Sequence, residues 1–234
     1  MRSVFLCALF VGALTGQVEP DAVQLIGRST SALERFRTVE IETENTANYV
    51  RTSKPLTIRA SLLWSGPNKV RLTIGSETAG ETIVSYEGVL TKYSKLSREY
   101  SREEGTLSLA IAQGRALAGL FAMSAANRQN LVTARILREE KLSADKADFD
   151  CSVIEVEVRP DSGPIRSRSY LLWIDKGTGV PLKQQLRVIR EEDGKRTESV
   201  STLVVRRMLL DAPIDDNVFE FAPPPGSKLT EGKR

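Results

Sequence analysis

From about residue 58 onward, apolar side chains recur at every second position, and turn residues interrupt them roughly every 8–12 positions. Only a sheet of short antiparallel strands satisfies such a pattern, because side chains of a strand alternate between two faces. Ile58, Ala60, Leu62 and Trp64 alternate with Arg59, Ser61 and Leu63. Gly66-Pro67-Asn68 turns the chain, and Val70, Leu72 and Ile74 resume the alternation. This is a hairpin with one apolar face. Further strands are expected at 81–86, at 89–94 after a Glu87-Gly88 turn, and around Tyr100.

The centre of the chain has another period. Residues 107–126 are rich in Ala and Leu, with Gln113 and Arg115 the only strongly polar side chains. The stretch reads as one helix, or as two short ones broken near Gly114 or Gly119, that must be covered on more than one side. Its two glycines, charge and short length argue against a transmembrane span. Strands resume at 133–140, then a polar loop at 143–150, strands at 152–158, 167–174, 181–190 and 199–207, and a short one at 218–221. An earlier helix is expected over 21–36, with Asp21 as N-cap and Val23, Ile26, Leu33 and Phe36 on one face. The fold class is therefore mainly β (α+β). It is a single antiparallel sheet with an N-terminal helix and a central helix, the one candidate large enough to cover the apolar face of the sheet.

The N-terminus carries an export signal. Arg2 precedes an unbroken apolar run at 4–14, followed by polar Gln17, Glu19 and Asp21. The run matches a signal peptide and is too short to cross a bilayer. Cys7 sits in the middle of it, where no lipobox cysteine belongs. The expected organisation is a signal peptide over 1–18, one domain over 19–226 and a flexible tail over 227–234. The mature protein is expected in the periplasm, without stable membrane insertion.

Removal of Cys7 leaves Cys151 alone, so no intramolecular disulfide is expected, and Cys151 reads as a small buried residue. The 33 Lys and Arg are mixed with 30 Asp and Glu along the chain. Nucleic-acid affinity comes from clustered neutralisation of phosphates, so this distribution argues against a nucleic-acid partner. The sequence has no histidine, which removes the usual general base of hydrolases and every His-containing metal site. Ser143 and Lys146 match a Ser-x-x-Lys spacing without the companion motifs. Adjacent carboxylates such as Glu139 and Glu140 would point to opposite faces of a strand. No catalytic residue, metal or cofactor is expected, and the chain reads as a non-enzyme.

Four segments, in order, resemble the periplasmic lipoprotein carriers of the LolA-like family, with their LolB-type and RseB-type relatives. Residues 60–72 (ASLLWSGPNKVRL) resemble that family's strand, Pro turn and strand. Residues 84–88 (VSYEG), followed by Leu90, Tyr93 and Tyr100, are similar to its next strands. Residues 172–182 (LWIDKGTGVPL) resemble its Gly-x-Pro turn, and 216–226 (DNVFEFAPPPG) its closing segment. Gly66 stands where carriers of the family often have Arg, and Glu87 where they have Asp. The resemblance implies a single curved antiparallel sheet forming an incomplete barrel, whose concave side is closed by helices, the central one a helical lid, and accepts acyl chains.

The expected function is thus non-enzymatic binding or carriage of a hydrophobic ligand, a lipid or the acyl chains of a lipoprotein. The alternative is a regulatory or protein-interaction module of the same fold, working with an envelope membrane protein. The expected cavity residues are Leu62, Trp64, Leu72, Ile74, Val84 and Tyr86 on the strands, with Leu109, Leu117, Leu120 and Phe121 on the lid. Whether sheet and helix enclose a pocket or a filled core is left open by composition.

Overall fold

The computed structural model describes residues 17–48, 54–76, 78–117, 129–145, 147–160 and 163–230. Residues 1–16 of the expected signal segment and the lid residues Leu120 and Phe121 lie outside them, whereas Gln17 and Val18 are described, the Gln17 carbonyl accepting the Ala134 amide at 2.9 Å. The chain enters through helix α1 (Pro20–Ser29), which has proline in its first turn and Asp21 at the positive end of its dipole. Its N-cap is Glu19, whose carboxylate instead accepts the Ile136 amide at 3.0 Å. The helix stops well before residue 36. Ser29 Oγ and Thr30 Oγ1 donate to the carbonyls of Ile26 and Gly27, at 2.8 and 2.7 Å. Such local bonds are the way hydroxyl residues compete with a helix. A short 3₁₀ turn, Ala32–Arg35, follows.

The strands are β1 (Thr38–Asn48), β2 (Leu56–Ser65), β3 (Val70–Gly75), β4 (Gly80–Tyr86), β5 (Val89–Ser94) and β6 (Glu99–Glu104). After helix α2 (Leu109–Ala116) come β7 (Leu131–Ala144), β8 (Ala147–Val158), β9 (Ile165–Asp175), β10 (Pro181–Glu192), β11 (Lys195–Leu210) and β12 (Lys228–Leu229). They form one sheet in the order β12-β6-β5-β4-β3-β2-β1-β11-β10-β9-β8-β7, whose two edges are not joined. Among the described strands the β12–β6 pairing alone is parallel, and Val18 makes an isolated parallel bridge to Ala134 of β7. The antiparallel sheet expected from the alternation, and the incomplete barrel that the resemblance implies, is the fold that forms.

Turn chemistry explains the tight hairpins. Glu87-Gly88 and Asp193-Gly194 each hold φ positive at both residues, between 50° and 78°. This is the mirror-image turn whose twist suits two antiparallel strands. The polar stretch expected as a loop is instead the tip of the β7–β8 hairpin, paired as far as Ala144 and Ala147. Its polar residues pair with each other across the ribbon: Arg135 with Glu155 at 2.6 Å, and Ser143 with Asp148 at 2.6 Å. The tip curls back so that the Asp145 amide reaches the Arg206 carbonyl at 2.9 Å.

The C-terminal segment departs from expectation twice. Residues 218–221 do not form a strand. A 3₁₀ turn, Asp216–Phe219, lies there, capped by Asp215. It runs over the outer face of β3 and β4, where Arg71 Nη1 donates to the Val218 carbonyl at 2.9 Å and Lys69 pairs with Asp216 at 2.6 Å. The described part of the tail expected to be loose, as far as Thr230, is held as well. Arg98 donates to the Pro225 carbonyl at 2.6 Å, and β12 adds to the edge of β6.

Candidate functional site

The concave face carries two separate cores. One joins α1 and the 3₁₀ turn at 32–35 to β1 and β8–β11, through Ile26, Leu33, Ile41, Ile154, Leu182 and others. The second lies under α2, where Ala112 and Ala116 pack on Leu62, Val70, Leu72 and Ile83. Trp64 and Leu109 are half-buried and touch both. They mark a seam between the cores.

Helix α2 is short and lightly anchored. Ser108 caps it by accepting the Ile111 amide at 3.3 Å. Its far end is tied down by buried Thr43, whose Oγ1 donates to the Ala116 carbonyl at 2.8 Å. Arg115 pairs with Glu81 on the rim. The side it presents to the sheet consists of small alanines, while Ile111 on its other side is exposed.

The expected cavity residues fall into distinct places. Leu62 and Leu72 are fully buried beneath α2, and the helix is packed on them. Leu117 is equally buried, but in the core around α1. Trp64 and Leu109 line the seam, and Ile74 is a half-buried residue at the edge of the α2 core. Val84 and Tyr86 are not with them. In β4 the residues facing α2 are Ile83 and Ser85, because Leu72 pairs with Ile83 and Val70 with Ser85.

The cause is loop length. Five residues separate the paired Trp64 and Val70, whereas four separate Gly75 and Gly80. Changing a loop by one residue turns every following side chain to the other face. Val84 is therefore buried on the outer face, on the side crossed by the C-terminal segment. Tyr93 and Tyr100 share that face, their ring centroids 6.0 and 5.7 Å from Phe221.

A groove of about 810 Å³ also lies on the outer face, beyond that segment. Glu44, Arg59, Ser61, Thr73, Thr82 and Tyr93 line it, and of the expected cavity residues it touches only Ile74. Glu44 accepts from Arg206 at 2.6 Å and Arg59 at 3.3 Å. The Arg206 hydrogen bond, helped by Arg59, holds its carboxyl below the usual range.

The interior holds polar groups that sequence reasoning passed over. Gln113 on α2 and Gln184 on β10 are buried, and Asn45 on β1 is half-buried. Among the described residues, both amide atoms of Gln113, Asn45 Oδ1 and Gln184 Oε1 have no hydrogen-bond partner. The one available signal was Gln113 itself, an amide in an otherwise apolar helix. Cys151 is buried, and burial pushes its thiol up to about 12. Among the described residues no helix is long and apolar enough to cross a membrane.

No family model and no curated protein matches the sequence. Several solved structures are similar. The Pseudomonas aeruginosa MucA/MucB complex aligns at 16% identity and a TM-score of 0.48, over 86% of this chain and 61% of that one. This chain thus spans about six-tenths of the length of its match there. A LolA superfamily protein from Nitrosomonas europaea aligns at 16% identity and a TM-score of 0.35, over 86% and 97% of the two chains. Mycobacterium tuberculosis lipoprotein LppX aligns at 9% identity and a TM-score of 0.47, over 85% and 99%. The family that the sequence motifs resemble is thus named again among the similar structures.

Proposed function

We propose that the protein is a non-catalytic, exported binding protein for an apolar ligand, a lipid or the acyl part of a lipoprotein, held between the concave sheet and the helices above it. The observation that carries this reading is the seam. A filled interior normally forms one contiguous core. Here two cores meet at half-buried Trp64 and Leu109, beneath an eight-residue helix with small side chains against the sheet. Lifting α2 opens the core beneath it and withdraws Leu109 and Leu117 from the other, whose remaining members stay closed around α1. An acyl chain entering along the seam gains about 25 cal/mol for each Å² of apolar surface removed from water.

Native mass spectrometry of the mature protein, expressed with its leader and purified without detergent, tests the reading. The expected result is a co-purifying lipid mass that is released when the protein is activated in the gas phase. Bare protein that also fails to take up lipid from an envelope extract would refute it.

A second reading, a protein-interaction module, is favoured by the outer groove. Its wall of paired charges (Arg59, Glu44 and Arg206) suits a polar partner surface better than a lipid. Replacing Arg59 and Arg206 with Ala would remove such a partner and leave lipid uptake intact.

A further inference from the structure

Among the described residues, three interior amides have polar atoms without a partner: Gln113 through both of its polar atoms, Asn45 through Oδ1 and Gln184 through Oε1. Each unpaired buried group costs about 1–3 kcal/mol, and interiors rarely keep several. Register places two of them in one row. Asn45 pairs with Leu203 on β11, and Leu203 pairs with Gln184 on β10. Both amides therefore share the concave face, two strands and roughly 10 Å apart. Thr43, which ties down the end of α2, is the next residue on that face of β1, roughly 7 Å from Asn45. On α2, Gln113 lies four residues before Leu117 and so on the same side of the helix, the side packed into the α1 core.

The rest of that row is apolar: Ile58, Leu203, Leu172 and Ile154. In and beside this row Ile58, Ser201 and Leu186 are partly exposed, while Ala47 and Tyr170, level with Ser201 on the same face, stay buried. The amides thus stand beside a partly exposed patch of an otherwise packed face. That is the place where a ligand with an apolar tail and a polar junction would put the junction. Binding sites for such ligands are mostly apolar walls with a few placed polar groups.

We propose that Asn45, Gln184 and Gln113 recognise the polar junction of an acyl ligand, and that they select a junction that donates a hydrogen bond. This rests on the apolar-ligand reading above. The unpaired atoms of Asn45 and Gln184 are oxygens, which need an N–H or O–H opposite them. An N-acyl amide or a hydroxyl-bearing acylglycerol supplies one. A fully esterified lipid or a hydrocarbon does not. Gln113 has a free donor as well as a free acceptor, so it can take a carbonyl at the same junction.

The test is displacement of a fluorescent fatty acid from the mature protein by N-palmitoylethanolamine and by methyl palmitate, which share an acyl chain and differ in donor groups. The wild type should prefer the ethanolamide by about tenfold or more, the worth of one or two net hydrogen bonds. Gln184→Met and Asn45→Leu should abolish the preference. Their urea midpoints should be unchanged or higher, since each replaces an unpaired amide with an apolar group of similar size. Equal affinity of the wild type for the two competitors overturns the inference and leaves the apolar-ligand reading standing. So does a preference that survives both variants while their midpoints fall, which means that buried water satisfies the amides. A wild type that binds neither competitor nor probe overturns the apolar-ligand reading itself. If a variant fails to fold, the wild-type preference still decides.

Discussion

Thr43 Oγ1 donates to the carbonyl oxygen of Ala116 at 2.8 Å, and this bond fastens the last turn of α2 to β1. The four last carbonyls of a helix have no partner inside it, so the bond satisfies a group that would otherwise be buried and unpaired. It also spans the side of the seam on which the helix would lift.

Thr43→Val keeps the shape of the side chain and removes the donor. Stability should fall by about 1–3 kcal/mol, the cost of the orphaned carbonyl. The amides at the end of α2 should exchange with deuterium faster than those of β1. An unchanged urea midpoint together with unchanged exchange would mean that the helix is held by packing alone.

Cys151 should behave as an inert thiol. Its folded value is pushed up to about 12 from an ordinary 9.0, chiefly by burial, with Asp175 the leading nearby charge. Below pH 9.0 the thiol is neutral in both states and pH has no hold on it. Between 9.0 and about 12 the unfolded chain releases the proton while the folded protein keeps it, so stability falls as pH rises through that window. Cys151→Ala should flatten this slope relative to wild type, and Ellman's reagent should react only with the unfolded chain. Rapid reaction of the native protein near neutral pH would contradict the burial.

Much of this architecture is legible in the residues. The Glu87-Gly88 and Asp193-Gly194 turns follow from local chemistry, as does the hairpin around Pro67. β1 went unread, although Val39, Ile41 and Thr43 alternate with Glu40, Glu42 and Glu44, because its charged face hides the pattern. Facing is harder. Ile83, Val84 and Ser85 are all buried, and the polar one, Ser85, lies on the side that looks at α2, so polarity misleads about the facing of β4. Only the length of the β3–β4 loop decides it. The covering of the outer face was also out of reach, because an irregular segment such as 211–227 has no period to read. The unpaired amides could not be foreseen, since pairing depends on which strands become neighbours.

The C-terminal segment should contribute as much as a core element. Phe219 is fully buried, so Phe219→Ala should cost about 3–5 kcal/mol in urea unfolding. Removing residues 223–234 takes away β12 and the Arg98–Pro225 bond but leaves Phe219 in place, and should cost markedly less. Equal losses from the two changes would mean that the β6 edge, and not the outer-face core, is what the segment protects.

The most direct test of the central claim is the emission of Trp64 during ligand addition. The chain has two tryptophans, and the other, Trp173, lies with its ring 4.2 Å from Lys183 Nζ. A Trp173→Phe protein therefore reports on the seam alone. Titration with N-palmitoylethanolamine should shift Trp64 emission to the blue and saturate at one ligand per chain, because the half-buried indole loses its remaining water to the acyl chain. Emission that stays unchanged while the compound binds would place the ligand elsewhere, and would contradict a site between α2 and the concave sheet.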